Sequence, residues 1–101
     1  MLKGKCKIQF EKWYSFNVYS DTHHILGLNE FYNLPFSMQW GVYLEFFDSV
    51  GVYIDIQFYA VNNFICKVNT LDGLYYQDLY NNRQQAQQKA IEQSNEIFNC
   101  K

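Results

Sequence analysis

The sequence predicts an α+β fold: a three-stranded antiparallel sheet with a central helix before it and a C-terminal helix after it. This αβββα core is preceded by an N-terminal helix or strand. Three observations carry the prediction. An apolar segment with helical spacing runs from Pro35 to Gly51. Two alternating apolar–polar segments follow at residues 52–60 and 64–69, with a third extended run after the turn at Leu71-Asp72-Gly73. A Gln-rich segment then places Ala86, Ala90, Ile91, Ser94, Ile97 and Phe98 on one narrow stripe.

The N-terminal stretch carries two patterns. Leu2, Cys6, Ile8 and Phe10 fall in an alternation with Lys3, Lys5, Lys7, Gln9 and Glu11, as in a half-buried strand. Phe10, Trp13 and Tyr14 stand at i, i+3 and i+4, as on a helix. The reading favours a helix over residues 8–16, then mostly loop over 17–34 with a helical turn near 30–33.

The central helix starts at Pro35, whose fixed φ suits a first turn, with Ser37 as an alternative cap. Trp40, Tyr43, Leu44, Phe47 and Val50 line one side, and Val42 and Phe46 widen the apolar surface. Trp40 and Phe47 are read as keystones of the core. Gly51 is placed to end the helix in the left-handed conformation.

In the first strand Val52, Ile54, Ile56, Phe58 and Ala60 face one way, and Tyr53, Asp55, Gln57 and Tyr59 the other. A three-residue loop over 61–63 keeps the apolar faces together. It pairs Ala60 with Phe64, Phe58 with Cys66 and Ile56 with Val68, with Asn63 left-handed. Residues 74–79 form a third, edge strand. Asn81 or Asn82 caps the last helix, with Gln84 or Gln85 three residues on.

The chain has 101 residues, enough for one core, so 1–101 is read as a single domain. Apolar residues reach 49%, which argues against global disorder. Aromatics reach 20%, more large rings than so short a chain readily buries, so some should form a contact surface. The net charge of −2 argues against non-specific nucleic-acid binding. Lys3, Lys5, Lys7 and Lys12 crowd the start and read as a solvated basic face. Cys6, Cys66 and Cys100 are odd in number and lack a C-x-x-C pair. They read as free thiols in a cytoplasmic protein rather than a disulfide scaffold. No secretory leader is read in the first residues, and no apolar run is long enough to span a bilayer.

Candidate chemistry is sparse. His23-His24 with a cysteine makes a zinc site only by tertiary accident, so no metal or cofactor is expected. Glu45, Asp48 and Asp55 read as a solvated stripe. No phosphate loop, G-x-S-x-G or H-E-x-x-H motif occurs, so no catalytic residue is assigned and no enzyme is expected. The candidate partner-binding residues are Tyr53, Tyr59 and Ile65 on the outer sheet face, joined by Tyr75 or Tyr76. The competing reading folds the N-terminal segment over that face.

The stretch LPFSMQWGVYLEFFDSVGVYIDI and the later YNNRQQAQQKAIEQSNEIFN together resemble a pattern in small proteins of bacteriophages and related mobile elements. The shared features are a "QWGVY…FFDSVG" helix, here Gln39 to Gly51, and a closing "R-x-x-A-x-x-x-A-I-x-x-x-N-E-I" helix, here Arg83 to Ile97. The resemblance implies a phage-accessory context and transfers no activity, cofactor or catalytic residue. Such accessory proteins often bind a host protein, including components of CRISPR and other defence systems. The order helix, strand, strand, strand, helix also resembles the double-stranded RNA-binding domain in topology. That domain grips phosphates with a lysine cluster at the start of its last helix, where this chain reads NNRQQAQQK. The expected function is therefore a non-enzymatic protein-binding accessory protein, an anti-CRISPR-like inhibitor of a host defence complex. Its partner would be a host protein, with no membrane. The alternatives are a nucleic-acid-binding accessory protein, stacking on the tyrosine face and gripping phosphates with Lys3 to Lys12, or a homodimeric or virion structural component.

Overall fold

A computed structural model of the chain describes residues 2–19 and 27–100, the side chains of residues 17–19 excepted. The elements are α1 (Gly4–Trp13), prolonged by a π-helical stretch (Tyr14–Tyr19), α2 (Leu28–Tyr32), α3 (Phe36–Ser49), β1 (Tyr53–Ala60), β2 (Asn63–Thr70), β3 (Gly73–Tyr80) and α4 (Arg83–Asn99). The strands form one antiparallel sheet in the order β1-β2-β3. The α+β class and the αβββα core agree with the sequence reading. The N-terminal segment is a helix, because Cys6, Phe10 and Tyr14 recur every four residues and are buried together.

The start of α1 is held by α4. The Lys3 amide donates to Asn95 Oδ1 at 2.8 Å and the Cys6 amide to Asn99 Oδ1 at 2.9 Å. Asn99 Nδ2 returns a bond to the Lys3 carbonyl at 2.9 Å. The otherwise unpaired first-turn amides of a helix thus find side-chain acceptors one helix away. Gly4 sits there at φ +61°, and a Cβ on it would lie 3.3 Å from Asn99 Oδ1.

Pro35 stands just before α3, and Gly51 follows its end at φ +82°. The buried face of α3 is Gln39, Tyr43, Phe46 and Phe47. Trp40 is only half-buried and packs on Phe36, so Phe46 takes the keystone place expected of Trp40. Gln39 Nε2 donates to the Phe31 and Tyr32 carbonyls at 3.0 and 3.2 Å, closing the end of α2. Asn82 caps α4 by accepting the Gln85 amide at 2.8 Å.

The core has two compositions. Between α1, α2 and α3 it is aromatic: the Phe10 ring meets Tyr14, Phe31, Tyr43 and Phe46 at centroid distances of 5.2 to 6.0 Å. Between the sheet and α4 it is small and aliphatic, with Cys66 and Val68 opposite Ala86, Ala90, Ile91 and Ile97. Small residues on α4 let the helix lie close to the sheet.

The β1–β2 register differs from the expected one by two residues. Phe58 pairs with Phe64, Ile56 with Cys66 and Ile54 with Val68. The turn is Val61-Asn62, with Asn62 rather than Asn63 left-handed at φ +60°. Tyr59 is the extra residue of a bulge between Phe58 and Ala60. Two turn residues plus one bulged residue preserve the parity of a three-residue loop. The side chains from Ile54 to Phe58 and from Phe64 to Val68 therefore keep their expected faces although their partners change, while Ala60, beyond the bulge, pairs with Asn63 on the other face.

Candidate functional site

The outer face of the sheet points away from α4, and no element among the described residues covers it. α1 packs on α3 and α4 through Phe10, Phe46 and Asn99. The competing reading, in which the N-terminal segment covers the sheet, is not seen among the described residues. Tyr53, Tyr59 and Tyr75 are exposed at 42%, 64% and 58%, and Ile65 is half-buried. Tyr76 belongs to the other side. It stands opposite buried Val68, with its hydroxyl against that of Tyr80.

The four candidates share a face but not a cluster. Tyr53 and Tyr59 are six residues apart on β1, roughly 20 Å along an extended strand. A polar row separates them: Asp55, Lys67 and Gln77 stand side by side across the three strands. The Gln57 side-chain amide donates to the Asp55 carboxylate beside this row. Tyr53 and Tyr75 lie at one end of the sheet, on its two edge strands, with Asn69 between them. Tyr75 is the extra residue of a second bulge, between the Val68–Tyr76 and Asn69–Leu74 pairs. Ile65 and Leu79 form a cross-strand pair toward the opposite end, near Tyr59.

The Tyr53–Tyr75 end continues round the β2–β3 turn into a groove of about 510 Å³. Val50, Leu71, Leu74, Tyr75, Ile97 and Cys100 supply most of its apolar wall. Leu71, at the turn itself, is 87% exposed and Leu74 is 56% exposed. The groove was not anticipated from sequence, yet Leu71 was a signal. An apolar side chain at a turn tip has no strand neighbour to bury it. Val61 and Phe58 form a smaller exposed set at the other hairpin. There Phe58 packs edge-on against Phe64 at 5.9 Å, and the Arg83 guanidinium lies 5.2 Å from the Phe64 ring centre.

Burial pushes the Cys6 thiol up to about 12 and the Cys66 thiol to about 11, with Asp78 contributing to the latter. Both stay protonated and weakly nucleophilic at neutral pH. Glu45 and Asp48 are exposed on α3, whereas Asp55 projects from the outer sheet face. Among the described residues no three His, Cys, Asp or Glu side chains converge as a metal ion requires. His23 and His24 lie outside the described residues. Among the described residues no helix is long and apolar enough to cross a membrane.

The features that a nucleic-acid reading would combine are separated by the fold. Lys5, Lys7 and Lys12 are exposed on α1, on the helical side of the molecule, while the tyrosines project from the opposite sheet face. Comparison of the chain with protein-family models, with curated proteins and with solved structures finds no match.

Proposed function

We propose that this chain is a non-enzymatic protein-binding module whose partner seats on the Tyr53–Tyr75 end of the sheet and the adjoining groove. One observation carries the reading. Tyr53, Leu71, Leu74 and Tyr75 are large, exposed and contiguous with a concave apolar wall, while the buried thiols are held protonated. An apolar patch with a concavity is the form protein contacts take, and tyrosine offers area with few rotatable bonds. In the phage-accessory setting implied by the resemblance, the partner is a host protein. A component of a defence complex, bound and inhibited in the anti-CRISPR manner, is the specific form of the proposal.

The test is a pair of measurements on Tyr53→Ala/Tyr75→Ala. An aromatic anchor at an interface centre contributes about 2 kcal/mol or more. Affinity for a host protein captured by the wild type should fall well over tenfold, with the melting temperature nearly unchanged because both rings are exposed. A folded double variant with full affinity would overturn the assignment.

A further inference from the structure

A second cavity, of about 260 Å³, lies between α1 and α3 beside the end of α2. Leu2, Lys7, Tyr32, Gln39 and Tyr43 bound it. It opens to solvent at one side and has room for a small molecule. Its walls are more polar than the groove near Tyr75, and their hydrogen-bonding capacity can be counted. The Tyr32 hydroxyl is engaged, donating to Glu11 Oε2 at 2.9 Å. Gln39 is buried, and its Nε2 is committed to the Phe31 and Tyr32 carbonyls. Its Oε1 remains as an acceptor. Tyr43 is 1% exposed, yet no protein group among the described residues bonds its hydroxyl. Lys7 has no carboxylate within ion-pair distance; the one ion pair among the described residues joins Lys89 and Glu92.

The Tyr43 ring is buried, but its hydroxyl opens on the cavity, so whatever fills the cavity supplies its hydrogen-bond partner. Burial, with Cys6 nearby, pushes the Tyr43 hydroxyl up to about 12, so it is a donor at neutral pH. The cavity therefore presents a cation and a hydroxyl donor, with one carbonyl acceptor. Charged and neutral donors together match a carboxylate. The Gln39 oxygen calls for an N–H or O–H on the same ligand.

We propose that this cavity binds a small carboxylic acid carrying an N–H or O–H group next to its carboxylate, held by Lys7 and Tyr43 at the acid and by Gln39 Oε1 at the donor. The site is separate from the Tyr53–Tyr75 surface and stands whether or not that surface binds a protein.

N-Acetylglycine is a suitable probe, with N-acetylglycinamide as its uncharged counterpart, each titrated into the full chain and followed by two-dimensional amide NMR. The expected result is a saturable shift in the millimolar range, confined to Leu2, Lys7, Tyr32, Gln39, Tyr43 and their neighbours. Lys7→Met, at an exposed position, and Tyr43→Phe, which keeps the ring, should each weaken binding about fivefold or more. The amide probe should bind at least about tenfold more weakly. Shifts that rise linearly without saturating would show that the cavity holds only solvent, and binding unchanged in Lys7→Met would overturn the placement of the acid at Lys7. Equal binding of the amide probe would overturn the assignment to an acid.

Discussion

Phe46 and Phe58 are the same residue in opposite situations, which makes them a controlled comparison. Phe46 is fully buried, its ring 5.3 Å from Phe10, 5.6 Å from Trp13 and 5.1 Å from Phe47. Phe58 keeps 66% of its surface in water and has Phe64 as its ring neighbour. Burying a phenylalanine removes roughly 200 Å² from water. At about 25 cal/mol per Å² that is about 5 kcal/mol, and Phe46→Ala should cost about 3–5 kcal/mol. Phe58 withdraws only a third of its surface, so Phe58→Ala should cost no more than about 1.5 kcal/mol. A domain of this size holds about 5–15 kcal/mol in all, so the first change leaves it marginal and the second leaves it folded. Urea denaturation followed by tryptophan fluorescence reads both, with Trp13 beside Phe46 as a local reporter. Equal losses within about 1 kcal/mol would refute the placement of the aromatic core between α1 and α3.

Two further predictions concern groups buried on the other side of α4 and within the core. The Ser94 hydroxyl is fully buried with no hydrogen-bond partner, so Ser94→Ala should be neutral or stabilise by up to about 1 kcal/mol. A loss above about 1 kcal/mol in the urea midpoint would contradict this. Cys6 and Cys66 hold their protons more tightly folded than unfolded, from 9.0 up to about 12 and about 11. Their contribution is full below pH 9.0 and falls as pH rises toward those values, by about 1.4 kcal/mol per pH unit for each thiol. Urea midpoints measured between neutral pH and about pH 11 should fall steeply in the wild type and less in Cys6→Ala/Cys66→Ala. Superimposable profiles would remove the thiols from the account.

The order of elements from α3 onward was legible because each helix and strand there carries a period that only one structure satisfies. Val52, Ile54 and Ile56 alternate, and Ala86, Ala90 and Ile97 recur at helical spacing. The strand register was not legible, since a two-residue turn with a bulge at Tyr59 and a three-residue loop place the side chains from Ile54 to Phe58 and from Phe64 to Val68 on the same faces. Only tertiary packing of Phe58 on Phe64 separates them. The N-terminal helix was half legible. Lys3, Lys5 and Lys7 imitate a strand, and the decisive contacts come from Asn95 and Asn99, more than ninety residues away. The same distance hid part of the site. Tyr53 and Tyr75 lie at one end of the sheet on either side of β2, whereas Tyr59, on the same strand as Tyr53, lies beyond the polar row. The wall that Leu71, Ile97 and Cys100 complete is drawn from the ends of separate elements.

The central claim is that a protein partner seats on the Tyr53–Tyr75 end. The most direct test is backbone amide hydrogen exchange on the full chain, free and in complex with a host protein that it captures. Slowed exchange should concentrate at Tyr53, at the turn Leu71–Gly73 and at Leu74 and Tyr75, with the exposed face of α1 unchanged. Protection centred on α1 and its lysines, with the β2–β3 turn exchanging as in the free chain, would contradict the account.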